Sequence, residues 1–149
     1  MMLMNLLVGL PTMLVCLTLQ AALTFRAVRF YIKQVHNNPN PGRLGRGVGP
    51  LLVVMVLLML GNFAQIMLWG LLFLGLGEFE LLYEAVYHSG VNFTSLGYGD
   101  IVMSTHWKLL GPLEAANGVL MFGMTGAALM AVLQALIKSQ LDDRMNGPA

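Results

Sequence analysis

Apolar residues fall along this chain in three long uninterrupted blocks, separated by two short stretches that are polar or rich in turn-forming residues. The first block covers about residues 2–25, the second about 48–76, and the third begins near residue 107, with an uncharged core over 115–137. A bilayer core of about 30 Å needs about 20 apolar helical residues, so each block predicts a membrane-spanning helix. Within the first, Asn5, Gly9, Thr12, Cys16, Gln20 and Thr24 recur mostly at steps of four. That spacing lines one helical face with small or weakly polar groups, as suits close helix packing in lipid.

The two separators differ. "HNNPNPGRLGRGVGP", 36–50, is dense in Pro, Gly and Asn and predicts an irregular connector. Residues 78–106 are too short and too polar for a fourth span with two loops. Their first part, "ELLYEAVYHSGVNF", predicts a helix of three to four turns with acids at its start, where the helix dipole favours them. "TSLGYGD" follows. Irregular backbone at membrane depth survives only when buried in protein or lining a wet cavity. A short helix, an irregular strand and a return to the same side therefore predict a re-entrant loop. The expected fold class is an all-α membrane protein with three spans plus this loop.

Composition supports that class, with 57% hydrophobic and 10% charged residues. Charge sets the expected orientation. Arg26, Arg29, Lys33, Arg43 and Arg46 lie together without an acid, and Glu78, Glu80, Glu84 and Asp100 lie together without a Lys or Arg. Positive charge concentrates in cytoplasmic loops, so both termini are assigned, the N-terminus outside and the C-terminus cytoplasmic. The expected location is a plasma membrane or bacterial inner membrane. Positive charge following the first block, rather than preceding it, argues against a cleaved signal peptide. Arg26, Arg29 and Lys33 suit anionic lipid headgroups. The basic stretch is short and flanked by apolar segments, which argues against nucleic acid as a partner. The single Cys16 permits no intrachain disulfide. No cluster has metal-ligand spacing and no nucleophile stands beside a base, so no enzyme activity is expected.

The glycines of "SLGYG" carry the chemistry. Aiming successive carbonyls at one axis requires the backbone to alternate between right- and left-handed conformations, and glycine adopts positive φ without steric cost. Gly97 and Gly99 sit two apart, as that alternation needs. The carbonyls of Ser95, Leu96, Gly97 and Tyr98, with the Ser95 hydroxyl, would then form oxygen rings that replace the hydration shell of a cation.

"TSLGYGDI", followed by Trp107 and a glycine-containing apolar helix, resembles the two-transmembrane-helix potassium channel family over about residues 50–138. The resemblance implies a homotetramer, with one filter strand from each chain. It divides the chain into an extra N-terminal helix and its basic end (1–35), a cytoplasmic linker (36–49), a pore domain (50–138) and a short cytoplasmic tail (139–149). Within the pore domain it implies an outer helix (50–77), a pore helix (80–94), a filter (95–99) and an inner helix (107–138). It implies K+ as the permeant ion, held at Ser95, Leu96, Gly97 and Tyr98, with Gly99 completing the filter. Thr94, Asp100, Tyr87 and Val91 are implied as filter support, with a Tyr87–Asp100 hydrogen bond as one brace. Ser95 and Leu96 stand where the family usually has Thr and Val, which opens the alternative of a non-selective monovalent cation channel. A non-conducting membrane scaffold is the reading from another class.

Gly118, near the middle of the third block, is either a gating hinge or a close-packing residue. Helical phase makes Leu120, Met124 and Ala128 cavity or gate candidates. Glu114, about two turns into that block, is expected to make a structural polar contact, with Asn117, Asn62 or Gln65 in reach. His88 and His106 are candidates for titration near neutral pH, with a surface or packing role the commoner one.

Overall fold

A computed structural model of the chain describes residues 1–36 and 44–146. Four helices follow one another: α1 (Met2–His36), α2 (Leu44–Gly75), α3 (Leu82–Phe93) and α4 (Leu110–Asn146). Three of them, α1, α2 and α4, are long and apolar enough to cross a membrane. The fold is that of an all-α, multi-pass membrane protein.

The expected bounds shift at two places. α2 starts at Leu44, inside the stretch read as a connector, and carries Pro50 within its first turns. An apolar surrounding favours continued helix, because every main-chain group then finds its partner inside the segment. Residues 37–43 of the connector expected over 36–50 lie outside the described residues. α4 likewise continues to Asn146, through the stretch read as a tail.

Each long helix buries a single stripe. On α1 the stripe is Asn5, Gly9, Cys16, Gln20, Ala27 and Tyr31. These form two series spaced by eleven residues, about 3.67 residues per turn, so the stripe runs nearly straight along the helix. Thr12 and Thr24, grouped with that stripe by their spacing, are half-buried at its margin. On α2 the stripe includes Val54, Leu58, Gln65, Trp69 and Phe73. On α4 it includes Leu110, Glu114, Asn117, Met121, Ala128 and Val132.

Two apolar clusters and a polar layer between them result. One cluster joins Cys16, Trp69, Phe73, Phe79, Ala85 and Leu110. The other joins Ala27, Tyr31, Val54, Leu58, Ala128 and Val132. Chain numbers rise from the first to the second on α1 and α4 and fall on α2. Hence α1 runs parallel to α4 and both run antiparallel to α2. The N-terminus of α1 therefore lies at the end that carries α3 and the 94–109 loop, where Asn5 Nδ2 donates to His106 O at 2.8 Å. The basic residues Arg26, Arg29 and Lys33 lie toward the opposite end.

The polar layer is hydrogen-bonded across all three long helices. Gln20 Nε2 donates to Thr125 Oγ1 at 3.0 Å, and Gln65 Nε2 donates to Gln20 Oε1 at 2.9 Å. Asn62 Nδ2 and Asn117 Nδ2 reach Thr125 Oγ1 and Gln65 Oε1 at 3.4 and 3.5 Å. Gln20 is fully buried at the centre of this set. The first helix is thus bonded into the structure, beyond simply resting against it. Interhelical side-chain bonds in membranes contribute about 0.6 kcal/mol on average, up to about 1.7. Gln20→Ala removes two such bonds and leaves Gln65 and Thr125 short of partners. It is expected to lower stability by about 1–2 kcal/mol, read from denaturant unfolding of the purified protein in mixed micelles. An unchanged midpoint would show that the layer contributes nothing.

Candidate ion-conduction site

The site begins at the C-terminus of α3. A helix end leaves carbonyls without partners, and these are met here by the segment that follows. Leu96 N–H donates to Val91 O at 3.0 Å, and Ser95 N–H donates to Asn92 O at 2.8 Å. This pair of bonds, six-to-one and five-to-two, is the Schellman arrangement, and it requires a left-handed residue between them. Ser95 fills that position with φ of 57°. The Thr94 hydroxyl folds back onto Gly90 O at 2.6 Å.

Left-handed conformation then recurs at every second residue. Gly97 has φ of 60° and Gly99 has φ of 71°, while Leu96 and Tyr98 between them keep negative φ. The sequence pointed to the two glycines; it gave no sign that the alternation starts one step earlier at a serine. A non-glycine residue in this region costs about 1–2 kcal/mol. The helix-capping bonds at 95 and 96 offset that cost. Such alternation of hand is the backbone condition for successive carbonyls to face one side of a ribbon, and glycine meets it at 97 and 99 without steric cost.

The whole ribbon from Thr94 to Asp100 is exposed in the single chain, with Leu96 57% and Tyr98 67% accessible. Both side chains are large, and no part of the single chain covers them.

Supports hold the ribbon at its far end. Tyr87 Oη, on α3, donates to Asp100 Oδ2 at 2.7 Å. The donated hydrogen bond holds the Asp100 carboxyl below its usual range, and acceptance by Asp100 pushes the Tyr87 phenol up. Tyr87 also stacks on Tyr83, with ring centroids 6.4 Å apart. One residue on, His88 is bonded at both ring nitrogens: Asn92 Nδ2 lies 2.9 Å from Nε2, and Nδ1 lies 3.0 Å from Ile101 O. The carbonyl requires a hydrogen from Nδ1, which fixes the neutral tautomer with Nε2 as acceptor. Burial holds the His88 pKa below its ordinary value. The ring packs between Phe73 and Phe79 at 5.7 and 5.1 Å. His88 is a brace in this geometry. His106 meets Trp107 edge-on at 5.1 Å.

One support had no signal in the sequence. Glu78, just beyond α2, accepts from Ser104 N–H and Ser104 Oγ, both at 2.6 Å. That carboxylate clamps the loop leaving the ribbon to the end of α2. Twenty-six residues separate the two, and neither lies in a periodic segment, so no local pattern links them.

The remaining sequence-derived residues fall in different places. Val91 is buried and serves through its carbonyl. Gly118 lies directly beneath the end of α3: a Cβ there would stand 1.8 Å from Phe93 O. Close approach of backbone to backbone explains this glycine without reference to bending. Leu120 is exposed and Met124 half-buried on α4. Ala128 is buried in the α1–α2–α4 apolar cluster, so it belongs to a helix contact and not to an open face with Leu120. Glu114 is fully buried and bonded to Ser89 of α3, whereas Asn117, Asn62 and Gln65 bond elsewhere. The expected polar contact is thus made with α3, whose packing over that turn of α4 seals the carboxyl from solvent.

A family model described as an ion channel matches residues 52–135, more than half of the chain. The chain belongs to this ion-channel family. The matched region takes in most of α2, all of α3, the alternating ribbon and most of α4, and leaves α1 outside. In this ion channel, then, the family's region is accompanied by a further membrane-spanning helix. No curated protein and no solved structure gives a significant match.

Two outcomes follow from this geometry. Gly118→Ala forces a methyl group into the Phe93 carbonyl. The cost is expected at the upper end of the overpacking range, about 3 kcal/mol or more, seen as loss of folded protein in detergent by size-exclusion chromatography. For Asp100 the sign is set by its depressed pKa. Its contribution is full above the ordinary carboxylate range, about 3.9, and is lost as pH falls through the lower folded value. Tyr87→Phe removes the main cause, so the Asp100 transition moves up toward the ordinary value. A carbon-13 NMR titration of the labelled carboxyl checks this, and an unmoved midpoint would contradict it.

Proposed function

We propose that copies of this chain assemble as a homotetramer and pass potassium ions through the 95–99 ribbon, passively and without covalent chemistry. The observation that carries the reading is the two-residue alternation of hand at Ser95, Gly97 and Gly99. Four such ribbons facing one axis would present stacked carbonyl rings from Ser95, Leu96, Gly97 and Tyr98, with the Ser95 hydroxyl at the inner end. Such rings replace water around a dehydrated cation. The exposure of Leu96 and Tyr98 in the lone chain supports assembly, since neighbouring copies would cover them. The C-terminal end of α3 points its dipole toward the inner end of the ribbon, which favours a cation there.

Orientation follows the charge asymmetry. The ribbon and its acidic surroundings at Glu80, Glu84 and Asp100 face outward, where they raise the local cation concentration. The N-terminus lies on the same side, and α4 ends in the cytoplasm. Arg26, Arg29 and Lys33 then sit at the cytoplasmic interface. With Phe25, Phe30 and Ile32 they line a groove of about 600 Å³ suited to an anionic lipid headgroup and the start of its acyl chain. Arg29 lies 5.5 Å above the Phe25 ring. On α4, Leu120 and Met124 are the pore-facing gate candidates of this assembly.

A non-selective cation pore of the same build is the second reading, favoured by Leu96, which is bulkier than the valine usual in the family. Rubidium uptake into liposomes separates the two. Selective conduction predicts that external potassium competes at least about tenfold better than sodium; equal competition selects the second reading. Gly99→Ala places a side chain at φ of 71° and should abolish rubidium uptake or its selectivity. Retained selective uptake in that variant, or a particle other than four-fold by native mass spectrometry, would overturn the proposal.

A further inference from the structure

Ser89, on the pore helix α3, poses a hydrogen-counting problem. Its Oγ lies 2.7 Å from the Ile66 carbonyl oxygen of α2 and within a short hydrogen bond of Glu114 Oε1 on α4. A serine hydroxyl has one hydrogen to give. A carbonyl only accepts, and an ionised carboxylate only accepts. With Glu114 ionised, one of the two close oxygen pairs would hold no hydrogen and would repel. With a proton on Glu114 both are satisfied: the carboxyl group donates to Ser89 Oγ, and Ser89 donates to Ile66 O.

The surroundings agree. Glu114 is fully buried, and its Oε2 has no hydrogen-bond partner. An ionised carboxylate left this way is among the costliest groups a protein interior can hold. No countercharge faces it from the packed elements among the described residues. From α1 comes the Cys16 thiol. From α2 comes the Ile66 carbonyl on Ser89, in a chain stretch without a charged residue between Arg46 and Glu78. From α3 come Ser89 and the neutral amide of Asn92, with the neutral ring of His88 one residue away and turned to Ile101. Within α4 the nearest cationic residues are Lys138, far along the helix, and Lys108, just before it in the loop. Lys108 lines a crevice with His88, Asn92 and Gly111, and Glu114 is not among the residues of that crevice.

We propose that Glu114 is a proton-binding site: its carboxyl group carries a proton in this conformation and so ties α4, through Ser89, to both the pore helix and the main chain of α2. The bound ligand is a single proton. Its removal leaves the Ser89 hydroxyl to choose between Ile66 O and Glu114, which loosens the seat of the pore helix four residues before its end. The site lies behind the ribbon, so its proton stabilises the helix whose C-terminus holds Ser95. This assignment does not depend on which ion the pore passes, or on whether it passes any.

Infrared difference spectroscopy of the purified full-length protein in nanodiscs tests it at neutral pH. The wild type is expected to show a protonated-carboxyl carbonyl band that shifts in heavy water. Glu114→Gln, whose amide still donates to Ser89, is expected to fold and to lose that band. Ser89→Ala is expected to keep the band at a higher frequency, because the hydrogen bond to the serine is gone. A wild-type spectrum without an acid band at neutral pH overturns the proposal even if neither variant folds. A band that persists unchanged in Glu114→Gln overturns it as well. Rubidium flux plays no part in the readout, so failure of the potassium reading and failure of this one remain separate results.

Discussion

Main-chain hydrogen bonding at membrane depth is the constraint on which this structure rests. Three long helices meet it internally, each within its own segment. The stretch from 94 to 100 cannot, because a ribbon of alternating hand turns its carbonyls to one side and leaves its helix-like ladder behind. The protein confines that exception to a few residues and secures both ends. At the start, the α3 carbonyls at 91 and 92 are used to fix the first turn of the ribbon. At the finish, Tyr87 holds Asp100 and Glu78 holds Ser104. The carbonyl row is the residue of that arrangement: polar groups without a main-chain partner among the described residues, which under the proposed reading face a cation.

A second polar arrangement, the layer through Gln20, Gln65, Asn62, Asn117 and Thr125, sits in the middle of the bundle and is closed upon itself. Lipid gives helices little hydrophobic reason to associate, so hydrogen bonds and close packing must locate them. The layer does this for α1, which the family region does not include. Because Thr125 accepts from both Gln20 of α1 and Asn62 of α2, α4 cannot slide along either neighbour without breaking a bond. The same helix is fixed a few turns earlier by Gly118 under Phe93 and by Glu114 on Ser89. The N-terminal span is therefore coupled mechanically to the helix that underlies the ribbon.

What the sequence revealed, and what it withheld, follows from the range of each interaction. Span count, the stripe on α1 and the short α3 are periodic features, and local pattern exposed them. The hand of Gly97 and Gly99 follows from residue type, so it too could be anticipated. Ser95 could not, since serine seldom takes positive φ and only the capping bonds of α3 explain why it does here. Glu114 illustrates the opposite limit. Its presence in an apolar block marked it out, but its partner is set by how α3 lies over α4, a long-range fact. Helical phase alone groups Ala128 with Leu120, but α1 and α2 cover that part of α4, a contact that no local pattern carries.

Why serine rather than glycine stands at 95 follows from weighing two terms. Glycine would remove about 1–2 kcal/mol of left-handed strain. It would also free the joint between α3 and the ribbon, where ordering a glycine costs about 0.5–1 kcal/mol more than ordering a residue with a side chain. Those terms nearly cancel, so stability alone does not choose. Under the proposed reading the hydroxyl decides: serine would add an oxygen at the inner end of the carbonyl row, beside the negative end of α3, which glycine cannot supply. Gly97 and Gly99 have no capping bonds to offset strain and no such oxygen to gain, and there the residue without a Cβ is the lower-energy choice. The pattern serine, glycine, glycine at alternate positions is thus what local energetics select when only the first left-handed position is braced by a helix end.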